Sequence, residues 1–184
     1  MAKKKEIVEE KIEFPETYKV LGADLSLRRP SFCLISIENR EVPTIKDIKF
    51  MTIDNKTDKK KGHGQLLEDI LAGFKKIYPL GDAVYCVREN EIMKVKVPSE
   101  RSLSKVVGIM DWALWAFFGK DWYSIYPMTV KKYVTGSGKA MKEEVAAALE
   151  RYIGKQEYKC DDESDAAAVA VAWLIQQGQI KEVV

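Results

Sequence analysis

Three short apolar runs follow one another before the first helical pattern begins, and this order limits the fold of the 184-residue chain more than any other feature. YKVLGADL, from Tyr18, is apolar and ends near an acid, and SFCLISIE follows after a turn built on Arg28, Arg29 and Pro30. These two runs read as a hairpin. IKDIKFMTI reads as a third strand, and the polar DNKTDKKKGHG after it as an exposed loop. The period then changes: Leu66, Leu67, Ile70, Leu71, Phe74 and Ile77 recur at helical spacing, with Pro79 and Gly81 ending the helix. A strand in DAVYCVRE, a helix from Ser99 to Phe118 closed by Gly119 and a fifth strand in WYSIY come next. MTVKKYV and TGSGK carry no assigned element, and helices from Ala140 to Ile153 and from Asp162 to Gln177 complete the chain. Strands first and helix–strand alternation afterwards call for an α/β fold, a mixed five-stranded sheet with helices on both faces.

The length suits one domain with a well-buried core. Residues 1–14, rich in Lys and Glu, read as a charged leader, and residues 15–184 as the single domain. Lys and Arg total 30 against 28 Asp and Glu, a net charge of +2, so any basic surface that attracts nucleic acid must be local. Cys33, Cys86 and Cys160 have no second Cys or His at metal-ligand spacing and read as thiols in a reducing compartment. No apolar run approaches the ~20 residues that span a bilayer, and MAKKKEIVEEK lacks the apolar stretch of a signal peptide. The expectation is a cytoplasmic protein with no membrane partner.

Four acids stand where a carboxylate is costly unless something compensates it. Asp24 closes an apolar strand, Glu89 closes another, and Asp162 and Asp165 are three apart and so share one helical face. Oxygen donors of this kind suit hard cations such as Mg²⁺ or Mn²⁺, and a pair of ions can hold the attacking and leaving oxygens of an in-line phosphoryl displacement. Taken singly, such acids are more often structural, because Asp and Glu cap backbone donors at strand ends and helix starts, although Asp165, followed by AAAVAVAWL, lies close to the buried face. Spacing also leaves Glu91 as a rival to Glu89, and Asp161 as a rival in the last helix.

Lys131, Lys132, Lys139 and Lys142 surround the turn TGSGK, which opens a helix and offers backbone N–H groups to phosphate. A nucleotide-binding P-loop is excluded, since its pattern needs Gly at Tyr133 and a hydroxyl at Ala140. The lysines suit phosphates of an extended polymer, or form a solvated basic face. His63, the only histidine, has no nucleophile that spacing can pair with it. Trp112, Trp115, Phe117 and Phe118 give one helix more aromatic surface than a single core stripe needs, which points to core packing or a dimer face.

Taken together, these segments resemble the RuvC family of Holliday-junction resolvases over nearly the whole chain after the leader. GADLSLRRPSFCLISI resembles the family's first strand, VYCVREN the strand bearing its Glu, KKYVTGSGKAMKEEV its basic loop and DDESDAAAVAVAW its final helix. The resemblance implies a ribonuclease-H-like fold with Asp24, Glu89, Asp162 and Asp165 as metal ligands, and Lys131 and Lys142 as basic residues important for catalysis. It implies two Mg²⁺ per site, with Mn²⁺ as substitute. It further implies a homodimer through the Ser99–Phe118 helix and paired nicks in a four-way DNA junction contacted by Lys131, Lys132, Lys139 and Lys142. Ile92 occupies the position where bacterial members carry a Phe that acts on a base at the crossover. The leader and the Lys-rich loop look more like the phage-encoded branch, which would place the protein in a host cytoplasm. The alternatives are a nuclease of the same fold acting on flaps or RNA, and a junction-binding module without cleavage.

Overall fold

A strand buried on both faces belongs in the middle of a sheet, and β1 (Thr17–Asp24) takes that place. The computed structural model describes residues 12–55, 60–77, 84–90 and 98–182. β2 (Ser31–Asn39) returns antiparallel to β1 from Asp24↔Ser31 to Thr17↔Glu38, so the expected hairpin forms around the Arg28–Arg29–Pro30 turn. β3 (Pro43–Thr52) extends the sheet antiparallel to β2 with an irregularity between Ser36 and Ile37. It is an edge strand, and its exposed side chains include charges, with Lys46 paired to Glu38. β4 (Val84–Glu89) and β5 (Tyr123–Ile125) lie parallel on the other side, giving the order β3-β2-β1-β4-β5.

Helices cover both faces, as the alternation demanded. α1 (His63–Lys76) and α2 (Pro98–Phe118) set Leu66, Ile70, Phe74, Val106, Met110 and Leu114 against Leu21, Ala23 and Cys86. α3 (Pro127–Thr135), α4 (Lys142–Ile153) and α5 (Asp161–Gln176) cover the opposite face, over Val20, Cys33, Ile35 and Val87. MTVKKYV therefore does form an element, and its signals are local: Pro127 opens the helix, Val130 and Val134 are buried four apart, and Gly136 closes it at φ 82°. Among the described residues no helix is long and apolar enough to cross a membrane.

The leader boundary moves. Ile12 and Phe14 pack against the core, and the Phe14 ring lies 4.7 Å from Tyr18, 4.9 Å from Tyr85 and 5.9 Å from Trp173. An aromatic side chain placed over other rings recovers more by burial than it loses in freedom, so residues 12–14 join the domain instead of the leader. Residues 1–11, part of the Lys-rich loop (56–59), and Glu91 and Ile92 lie outside the described residues.

Ten consecutive residues of α5, Ala166–Ile175, are buried, because the helix is sandwiched between the sheet and α3 with α4. Its alanines let the backbone come close to β1. A Cβ on Gly22 would stand 2.2 Å from the Ala166 carbonyl oxygen and 2.8 Å from the Ala170 Cβ. Only glycine fits there without moving the helix. Gly22→Ala is expected to cost about 1–3 kcal/mol by overpacking in urea denaturation, whereas Gly64→Ala, whose Cβ would meet nothing within 4 Å, should cost nothing.

Candidate active site

Alternation along β1 and β4 decides which way the acids point. Tyr18, Val20 and Gly22 face α5, so Asp24 does too; Tyr85 and Val87 do the same on β4, and Glu89 follows them. Because Ala23 pairs with Arg88 in the parallel register, the next residues on the two strands, Asp24 and Glu89, end side by side. The first turn of α5 brings in the other two acids. One carboxylate oxygen from each of Asp24, Asp162 and Asp165 lies within 4.8 Å of the others. Glu89 stands beside this trio and lines the same cleft of about 220 Å³ with Asp24, Asp165, Lys131 and Lys142. A second cleft of about 210 Å³ opens on Asp24 and Glu89 from the side of Leu103 and Val107 on α2.

So many like charges at partly buried positions favour the protonated form. Burial, then Asp165, Glu89 and Asp162, push the Asp24 carboxyl up to about 7. Burial and Asp165 also raise Glu89, against the pull of Lys142 and Lys131. Two cations answer the acids directly. Lys142 Nζ donates to Asp165 Oδ2, and that bond, ahead of the nearby acids, raises the Lys142 pKa. Arg29 Nε donates to Asp162 Oδ2 from the turn between β1 and β2. Lys142 sits at the first position of α4, where the helix dipole disfavours a cation, so its placement answers the acidic cleft and not the needs of the helix. Lys131 is tied differently: its Nζ donates to the Ala140 carbonyl at 2.8 Å, bracing the α3–α4 loop beside Glu89.

Two of the four expected lysines are set apart from the acids. Lys139 lines a separate open groove with Thr135, Ser137, Glu144 and Arg151, and the exposed Lys132 lines neither acidic cleft. Asp161 is exposed and stands outside the trio, which removes it as a rival to Asp162. Two contributors carried no sequence signal. An Arg in a turn is commonplace, yet Arg29 reaches the cluster. Glu163 is 1% exposed and accepts hydrogen bonds from the Thr52 hydroxyl at 3.0 Å and the Lys159 N–H at 2.8 Å, pinning the start of α5 to the end of β3.

The donor set is all oxygen, carries excess negative charge and has already drawn in two side-chain cations, which is the chemistry that suits a hard divalent metal. Residues 20–173 match the family described as crossover junction endodeoxyribonuclease RuvC. The chain belongs to the RuvC family. Its members are endodeoxyribonucleases, which makes this chain a hydrolase of DNA phosphodiester bonds. The RuvC of Cytophaga hutchinsonii is 28% identical over 166 residues, 89% of this chain and 79% of that protein. The Sulfurovum RuvC is 49% identical over a shorter stretch of 53 residues, 28% of this chain and 33% of that protein. Among solved structures, Thermus thermophilus RuvC in complex with a Holliday junction substrate superposes with a TM-score of 0.71 at 18% identity, covering 90% of this chain and 99% of that one. The fold is accordingly the ribonuclease-H-like fold of RuvC.

The raised carboxyls set a pH dependence. Folded Asp24 keeps its proton up to about pH 7, whereas the unfolded side chain loses it near ~4, so the metal-free fold is favoured at low pH and this contribution is lost as pH rises through 7. In EDTA, Tm of the wild-type protein should fall between about pH 4 and 7 relative to Asp24→Asn and level off above. Parallel profiles for the two proteins would mean that Asp24 feels no such crowding.

Proposed function

We propose that the protein resolves four-way DNA junctions as a homodimer, each protomer hydrolysing one phosphodiester bond with two Mg²⁺ ions held by Asp24, Glu89, Asp162 and Asp165. The observation that carries this reading is the convergence of the three Asp carboxylates to within 4.8 Å beside Glu89 and two lysines. Asp24, Asp162 and Asp165 would hold one ion, and Asp24 with Glu89 the second. Bound Mg²⁺ supplies Lewis-acid stabilisation of the attacking water and the departing 3′ oxygen, a role Mn²⁺ can also fill.

The side chains do the rest. With its ligands charged, the cleft carries four negative charges, which two divalent ions cancel, leaving the lysines to attract DNA. Lys142, with 65% of its side chain exposed, can leave Asp165 and meet the phosphate as negative charge grows on it. Lys131, donating to the Ala140 carbonyl, lies beside Glu89 and forms the far wall of the cleft. Lys132 and Lys139, away from the acids, suit contacts to the more distant backbone of a branched substrate.

The dimer is assigned to α2. Trp112 is 52% exposed and Trp115 64% exposed on the face turned away from the core, a costly arrangement in a monomer. Three thiols free of disulfides agree with a cytoplasmic setting. The relatives named above are bacterial, and the phage-type origin rests on the leader and the Lys-rich loop alone.

With synthetic four-way junctions, flaps and linear duplexes in Mg²⁺, wild-type protein should cut the junction fastest, and Asp24→Asn should bind it without cutting. Lys142→Ala should lose about 10²-fold in cleavage rate, the scale of one lost stabiliser of transition-state charge. Full cutting by Asp24→Asn would overturn the site, equal rates on all three substrates would favour a nuclease of the same fold without junction specificity, and binding without cleavage by the wild type would favour the idle module. Trp115→Glu should shift the protein to monomer in sedimentation and abolish paired nicks.

A further inference from the structure

Two cations enter the acidic cluster, and they are held in different ways. Lys142 stands on a flexible stem with 65% of its side chain exposed, so little prevents it from leaving Asp165. Only 23% of the Arg29 side chain is exposed, and 22% of its partner Asp162. The backbone under Arg29 is fastened as well. Its own N–H donates to Ser26 Oγ at 3.0 Å, and the carbonyls on either side, of Arg28 and Pro30, accept the N–H groups of Asn55 at 2.9 Å and Ile53 at 3.0 Å. The turn is thereby strapped to the segment that leaves β3. A guanidinium keeps its proton under all ordinary conditions and presents its donors in a fixed plane. Lys142 is an exchangeable counter-ion, whereas Arg29 is built into the site.

We propose that Arg29 is a positioning residue for the metal site, holding Asp162 through Oδ2 in the loaded as well as the metal-free protein and leaving Oδ1 to the cation. This rests on the reading of the acidic trio as a divalent-metal site. Asp162 is in the first turn of α5 and is only partly buried, so without a tether its carboxylate samples rotamers that face away from Asp24. A donor on one oxygen fixes the plane of the carboxylate and therefore the direction of the other. Partners of ligating carboxylates act in this way, and their loss typically costs 10–100-fold in metal affinity. Arg29 also joins two parts of the chain that the site needs together: the turn that begins after Asp24, and the helix that carries Asp162 and Asp165. The contrary view makes Arg29 a mere counter-ion, displaced when metal arrives. The two views give opposite signs, since removing a competitor tightens metal binding and removing a positioner weakens it.

Calorimetric titration of Mn²⁺ into the DNA-free protein distinguishes them without reference to cleavage. Arg29→Gln is expected to bind Mn²⁺ about 10–100-fold more weakly than the wild type while binding a four-way junction in EDTA with unchanged affinity. In the Asp162→Asn background the same substitution should have no further effect on Mn²⁺ binding, because Arg29 acts through Asp162. Equal or tighter Mn²⁺ binding by Arg29→Gln, or a full effect that persists in Asp162→Asn, overturns the proposal while the metal site stands. No Mn²⁺ binding by the wild type overturns the metal-site reading, and the proposal with it. Should Arg29→Gln fail to fold, Arg29→Lys carries the test: it keeps the charge but lacks the planar fork, so weaker Mn²⁺ binding supports the proposal and unchanged binding overturns it.

Discussion

The approach of α5 to β1 at Gly22 is the constraint on which the site depends. With Ala166 and Ala170 against a residue that has no side chain, the helix lies nearer the strand than a Cβ would allow. Asp24 is two residues beyond Gly22 on the strand, and Asp165 directly precedes Ala166 on the helix. The closeness of the two backbones is thus transmitted at once to the two carboxylates. A run of alanines and valines, which as a composition says only that a helix is buried, here sets the distance between the two carboxylates. Glu163, bonded to Thr52 and to the Lys159 N–H, prevents the same helix from turning or sliding along the sheet.

Such an assembly works against itself electrostatically. Bringing Asp24, Glu89, Asp162 and Asp165 together in a half-buried cleft costs enough that the Asp24 carboxyl is pushed into the neutral range. Packing at Gly22 and the Glu163 network supply the opposing force, because neither depends on the charge of those four acids. This is the general pattern of a functional centre whose strain is carried by structure elsewhere. Arg29 and Lys142 relieve part of the repulsion, and each leaves a different share of the charge for a cation to satisfy.

Period and order were enough to make most of this architecture legible. Strand alternation located β1 to β4 to within a few residues, and it aimed Glu89 correctly because Tyr85 and Val87 are on the same side. Capping at the last helix is harder to read: Asp161, Asp162 and Glu163 are adjacent acids in one turn, yet one is exposed, one meets Arg29 and one is buried, accepting from the Thr52 hydroxyl and the Lys159 N–H. Three consecutive positions on a helix point about 100° apart, so their fates depend on neighbours that no local pattern specifies. The place of Phe14 depends on distant neighbours in the same way. It follows a charged stretch and stands between Glu13 and Pro15, and its partners Tyr18, Tyr85 and Trp173 come from three different elements. α3, by contrast, carries purely local signals: Pro127 opens it, Val130 and Val134 are buried four apart, and Gly136 closes it.

Helix α2 connects the site to whatever covers its outer face. Leu103 and Val107 on its inner side form part of the wall of the cleft that opens on Asp24 and Glu89, while Trp112 and Trp115 face outward further along the same helix. Arg88, next to Glu89, reaches Asp111 on α2, so the strand that delivers one acid is fastened to the helix that carries the tryptophans. A rigid helix cannot be displaced at one end without moving the other, and packed interiors transmit such shifts instead of absorbing them. A second copy resting on Trp112 and Trp115 would therefore brace the cleft wall as well as bury apolar surface. In the proposed dimer, α2 would thus serve both the interface and the wall of the acidic cleft, and a protomer without its partner would lose that bracing while keeping every residue of the site.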